Sequence, residues 1–80
     1  MRSASAPVRQ ITPRETEILE YLAEGYSGKE IAQKLGIAPT TVDRHVEHAR
    51  LKFGARNRTH LVAVAIQHGV LVPEPAASPQ

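Results

Sequence analysis

Apolar residues recur three and four positions apart in four separate stretches of this 80-residue chain, and each stretch predicts a helix. In the first, Ile18, Leu19 and Leu22 share a face between Pro13 and about Glu24, and Gly25 ends the run. It is opened by Thr12-Pro13-Arg14-Glu15, a hydroxyl three residues before a carboxylate with proline at the first helical position. The second stretch has Ile31, Ala32 and Leu35 on one side, Ser27-Gly28-Lys29-Glu30 as its capping box, and Gly36 as a left-handed stop. The third runs from Pro39 to Phe53, with Val42, Val46, Ala49 and Phe53 as an apolar stripe and His45 at its edge. Asp43, Arg44, Glu47, His48 and Leu51 point the other way. The fourth runs roughly from Arg58 to His68, capped by Asn57 or Thr59 and stopped by Gly69.

The pattern therefore predicts an all-α, four-helix bundle without strands or repeats. The second and third helices are joined only by Gly36-Ile37-Ala38, so together they form a helix-turn-helix, whose second member can lie in a DNA major groove. The fourth helix is apolar nearly all round from Leu61 to Ile66. Leu61, Val62, Ala65 and Ile66 are its expected core face, with Val70 and Leu71 tucking in after Gly69. Ala63, Val64 and Gln67 are left on the other side, and so much apolar surface on a small domain asks for a partner helix. Val64 is the expected centre of that contact. Residues 1–10, MRSASAPVRQ, read as a disordered arm, and residues 73–80, PEPAASPQ, as a disordered tail. The domain is then 11–72.

Composition narrows the chemistry. With two tyrosines, one phenylalanine and no tryptophan, the core is expected to be small and aliphatic. The absence of cysteine excludes disulfides, thiolate zinc sites and a cysteine nucleophile. No apolar run reaches the roughly 20 residues of a membrane span, and no signal-peptide region follows Met1, so the expected location is the cytoplasm. His45-x-x-His48 does not make a metal site, because one imidazole faces the core edge while the other faces out. No Gly-rich phosphate loop or nucleophile–base grouping is present, so catalysis, a cofactor and a small-molecule ligand are not expected.

The net charge of +2 is too small to indicate nucleic acid by itself, but its distribution is uneven. Glu15, Glu17, Glu20, Glu24 and Glu30 crowd the first part, whereas Arg44, Arg50, Lys52, Arg56 and Arg58 follow with Glu47 as the only acid among them. An acidic back and a basic front suit phosphate binding. Lys29, Thr40, Thr41, Lys52 and Arg58 are the phosphate candidates, and Asp43, Arg44, Glu47 and His48 the base-edge candidates. Alternatives stand beside these roles. Lys52 could be an ordinary solvated lysine and Arg58 a core-edge arginine paired with a first-helix glutamate, while Asp43 and Glu47 could instead hold Arg44 or Arg50 in one rotamer.

Thr12-x-Arg14-Glu15, Gly25-x-Ser27-x-Lys29-Glu30-Ile31-Ala32, Thr41-Val42-x-x-His45 and Arg56-x-Arg58-Thr59 together resemble the LuxR-type, or GerE-like, helix-turn-helix domain over residues 11 to 71. The resemblance implies a transcription regulator that binds double-stranded DNA as a dimer, with the third helix in the major groove and the fourth making the dimer contact. Weak homodimers, heterodimers with related regulators and contact with RNA polymerase are the partners it admits. This chain departs from the family in four places. Ala38 stands where the recognition helix usually has a serine cap, and Gly28 replaces a common asparagine. Asp43 and Glu47 occupy positions that are basic in many relatives. A competing reading follows from the acidic pair and the exposed Leu51: a protein-interaction module that pairs with a full-length regulator and antagonises it.

Overall fold

The structure is a computed structural model that describes residues 11–72. The arm and tail expected at 1–10 and 73–80 lie outside the described residues. Four helices occupy the rest: α1 (Pro13–Ala23), α2 (Gly28–Leu35), α3 (Pro39–Phe53) and α4 (Arg58–Gln67), with no strand among the described residues. Both expected capping boxes form. The Thr12 hydroxyl accepts from the Glu15 amide at 3.0 Å, and the Ser27 hydroxyl accepts from the Glu30 amide at 3.1 Å. In return each glutamate carboxylate accepts from the cap residue's own amide. Asn57, rather than Thr59, caps α4, accepting from the His60 amide at 2.9 Å.

The core is aliphatic, as the composition requires. Ile18, Leu19, Ile31, Val42 and Leu61 are its largest fully buried side chains, joined by Ala32, Val46, Ala49, Ala65 and Leu71. The helices α1 and α3 each pack against all three others. Leu22, Leu35, Phe53, Val62, Ile66 and Val70 are half-buried and pack against this cluster from its edge. Two glycines make the turns on either side of α3. Gly36 and Gly54 both adopt left-handed conformations, at φ 70° and φ 68°, where a Cβ would be strained. The chain then folds back, so that the Ile37 amide donates to the Ala32 carbonyl and the Ala55 amide to the Arg50 carbonyl.

Two sequence expectations are corrected here. Val64 does not face away from the bundle: it is 8% exposed and belongs to the buried side of α4 with Leu61 and Ala65. Val62 and Ile66, expected inward, are the half-buried residues flanking it. A period of 3.6 explains the ambiguity, because in a helix apolar on every side the pattern cannot say which face wins. Lys52 is half-buried rather than an ordinary solvated lysine. Its ammonium donates to Glu15 Oε1 at 2.8 Å, tying the end of α3 to the first turn of α1. The expected pairing with a first-helix glutamate thus exists, but Lys52 makes it rather than Arg58.

Glu15 is the one buried charged residue among those described, 3% exposed, and serves both the capping box and Lys52. Burial pushes its carboxyl up, but the hydrogen bonds from Lys52 and the Thr12 amide, with the Lys52 charge, outweigh that and leave it below the ordinary 4.5. A carboxylate whose folded pKa is depressed stabilises the fold fully above its unfolded value, and that contribution is lost as the pH falls through the folded one. Glu15→Gln preserves the capping box and removes the ion pair. It is expected to destabilise the domain by about 1–3 kcal/mol at neutral pH. The gap from the unaltered protein should close as the pH drops below 4.5, as read by denaturant unfolding at a series of pH values. A gap that does not vary with pH would show that the pair is not what stabilises this corner.

Candidate nucleic-acid interface

The face opposite the core on α3 is where the outward candidates gather. Burial of Val42, Val46 and Ala49 fixes the rotation of this 15-residue helix and leaves Asp43, Arg44, Glu47 and His48 exposed in one patch. Thr40 lies on the same side at the helix start, and Leu51 continues the patch at 63% exposure. At about 1.5 Å per residue the helix is roughly 22 Å long. Its first two turns stand beyond the Gly36–Ala38 bridge, which is the arrangement a groove-entering helix needs.

The charged groups on this patch are not equally free. Glu47 is held by Arg50, whose Nε donates to Oε1 at 3.0 Å and Nη2 to Oε2 at 2.6 Å. The remaining Arg50 amino group donates to the Ala55 carbonyl at 2.9 Å, so Arg50 clasps the turn between α3 and α4. These hydrogen bonds lower the Glu47 carboxyl from its ordinary value and raise the Arg50 guanidinium, the direction an ion pair imposes on both partners. Of the two rotamer-holding roles open in the sequence, Glu47 takes the one that holds Arg50.

Asp43 has a different partner. Arg58, the first residue of α4, reaches across to donate from Nη2 to Asp43 Oδ1 at 3.1 Å. This pair rests against Gly28, where a Cβ would sit 3.6 Å from Asp43 Oδ1 and 3.7 Å from Arg58 Nη1. Arg44 and His48 are exposed and engaged in no hydrogen bond or ion pair among the described residues. Lys29 is likewise exposed and unengaged, and follows Gly28 at the start of α2.

The start of α3 is bare. Ala38 has the extended backbone of a cap residue but no side chain to accept from the helix, and neither threonine hydroxyl substitutes. Thr41 and Val42 amides turn back to the Ala38 carbonyl, whereas the exposed Thr40 amide has no acceptor among the described residues. An open amide at a helix N-terminus is a ready donor for an anion. The structure therefore leaves Thr40, Asp43, Arg44, Glu47 and His48 exposed on α3 with Thr41 half-buried at its start, joins Arg58 to Asp43, sets Lys29 next to the Gly28 that the pair packs over, and ties Lys52 to α1. Sequence reasoning did not single out Arg50 as a turn clamp or Ala55 as buried. The i,i+3 spacing of Glu47 and Arg50 was the available signal for the first.

The fold and this face define a helix-turn-helix of the LuxR type, the DNA-binding domain of transcription regulators. The family model for bacterial regulatory proteins of the luxR family matches residues 9–65, and the chain belongs to that family. It is similar to the transcriptional activator protein BjaR1 of Bradyrhizobium diazoefficiens, 42% identical over 67 residues that make up 84% of this chain and 28% of BjaR1. Among solved structures it resembles the response regulator ChrA of a heme-sensing two-component system. There the TM-score is 0.74 with 35% identity, covering 89% of this chain and 32% of ChrA. It also resembles VqmA of Vibrio cholerae in a complex with ligand and DNA, with TM-score 0.72 and 33% identity over 80% of this chain and 29% of that one. A VqmA dimer solved in the absence of target DNA matches with TM-score 0.72 and 27% identity, over 86% of this chain and 37% of that one. The chain thus spans about a third of the length of the proteins it matches, and these are regulators rather than enzymes.

The missing cap gives a direct test of local energetics. Ala38→Ser is expected to restore a hydroxyl acceptor for an early α3 amide and to raise stability by about 1 kcal/mol, read as an increase in the unfolding midpoint. No gain would mean that the first turn of α3 is already satisfied by water as well as by a side chain.

Proposed function

We propose that this domain binds double-stranded DNA sequence-specifically for a transcription regulator, with the first turns of α3 in the major groove. The observation that carries this reading is the exposed patch on α3, held outward by burial of Val42, Val46 and Ala49 immediately after the turn. Its Arg44 is exposed and unengaged, and a free guanidinium in that position suits bidentate contact with guanine O6 and N7. His48 lies one turn further along as a second base-edge candidate. Lys29, the open Thr40 amide and the hydroxyls of Thr40 and Thr41 are placed to meet phosphates and set the register. The DNA complex of VqmA supports the same use of this fold.

Dimerisation through α4 belongs to the same proposal, re-centred on the residues that remain accessible. Ala63 and Gln67 are exposed as expected, and a groove on this side of the bundle is lined by Val62, Ile66, Val70 and Leu71 facing Glu20 and Glu24 of α1. Val62 lies near the middle of α4, so a twofold antiparallel pairing would bring it against its own copy. VqmA, solved as a dimer, lends support. Two short helices bury little area, and the pairing is therefore weak away from DNA.

Selection of binding sites from random duplexes tests the main reading: a recurring motif supports it, and failure to enrich any motif contradicts it. On the selected site, Arg44→Ala should cost about 1–3 kcal/mol in binding and much less on random DNA. An equal loss on both would make Arg44 a phosphate contact instead. Val62→Glu should retain helicity and single-site binding while abolishing cooperative binding to paired half-sites. Undiminished cooperativity would remove α4 from the interface. The exposed Leu51 favours a second reading, in which α3 meets another protein. That reading predicts a stable complex with a related regulator and no enriched DNA motif.

A further inference from the structure

Two carboxylates share the outward face of α3, but their oxygens are differently committed. Glu47 has both engaged by Arg50, which is itself anchored to the Ala55 carbonyl, so this side chain is closed to a ligand. Asp43 has Oδ1 engaged by Arg58, and Oδ2 has no partner among the described residues. The Asp43 side chain is 62% exposed, and it lies in the first turns of the helix, ahead of Glu47. We infer that Asp43 selects a cytosine through its second oxygen, and that Arg58 is the positioning residue that aims it. This rests on the reading of α3 as the helix that enters the groove.

The selectivity follows from hydrogen-bond chemistry. An ionised carboxylate only accepts. In the major groove guanine offers the acceptors N7 and O6, and thymine the acceptor O4 with a methyl group, so both repel it. Adenine offers an N6 donor beside the N7 acceptor, which opposes the approach of a second lone pair. Cytosine offers the N4 donor with no acceptor on its own edge, so it is the base an acceptor-only group prefers. Arg58 makes this workable in two ways. Its charge neutralises Asp43, so the carboxylate can approach a polyanion without net repulsion. Its hydrogen bond, made from the first residue of α4, restricts the rotation of the carboxylate while leaving Oδ2 free to accept. The pair packs over Gly28, where a Cβ would make ordinary van der Waals contact with both partners. Arg58 is accordingly assigned to Asp43 and withdrawn from the phosphate contacts.

The test is site selection from random duplexes with the full chain and two variants, followed by binding at several salt concentrations. Both side chains of the pair are largely exposed, and thermal unfolding of Asp43→Asn and Arg58→Ala is expected to match the unaltered protein. The unaltered protein should enrich a motif with one fixed cytosine that depends on Asp43. Asp43→Asn should move that position towards adenine, which an amide can contact through N6 and N7, and keep the rest of the motif. Arg58→Ala should reduce the cytosine preference at that same position about tenfold. Arg58→Lys, which keeps the charge, should recover part of the preference. A motif unaltered by Asp43→Asn would overturn the assignment of Asp43. Should Arg58→Ala lower the salt slope by about one unit and leave the cytosine position intact, Arg58 contacts phosphate and the inference fails. A motif from the unaltered protein without such a cytosine overturns this inference alone, whereas no motif at all overturns the DNA-binding reading beneath it.

Discussion

Burial of one stripe on α3 determines nearly everything that the domain presents to its surroundings. Val42 is fully buried, and Val46 and Ala49 are nearly so, between α1 and the flanking helices. A quarter-turn of α3 in one direction would expose these side chains and drive Asp43 towards an aliphatic core, where an unpaired charge is prohibitively costly. The hydrophobic side of the helix therefore aims the polar side. The glycine turns at Gly36 and Gly54 set where the helix begins and ends, and Lys52 fastens its far end to Glu15 on α1.

A second constraint governs the charges. This domain has carboxylates on the very face that should meet a polyanion, and each is paired with an arginine: Glu47 with Arg50, Asp43 with Arg58. The ion pairs are solvent-facing and add little to stability. Their effect is on what the face offers. Glu47 is occupied, Asp43 is half occupied, and Arg44 is free, so a surface with several charged residues reduces to a short, defined set of donors and acceptors. Specificity in such a surface comes from which lone pairs and N–H groups remain open rather than from net charge.

Much of this was legible in the sequence, for identifiable reasons. The capping boxes at Thr12 and Ser27, the glycines after α2 and α3, and the stripe through Val42, Val46 and Ala49 are local signals, and each formed where its spacing required. The bare start of α3 followed from Ala38 alone. The face of α4 was not legible, because Leu61 to Ile66 is apolar all round and only packing against α1 and α3 decides that Val64 goes inward. Long-range pairs were not legible either. Lys52 and Glu15 lie 37 residues apart, and Asp43 and Arg58 lie 15 apart, so no helical period connects them. Charge asymmetry along the chain suggested a basic front, yet its single lysine, Lys52, is paired with Glu15 on α1.

The central claim is that the side of α3 turned away from the core is the surface that meets base edges. It is tested most directly by following backbone amide resonances while the domain is titrated with its best-selected duplex. The account predicts that the largest shifts fall between Thr40 and His48, with smaller ones at Lys29. Shifts concentrated elsewhere, with the amides of that α3 segment undisturbed, would contradict it.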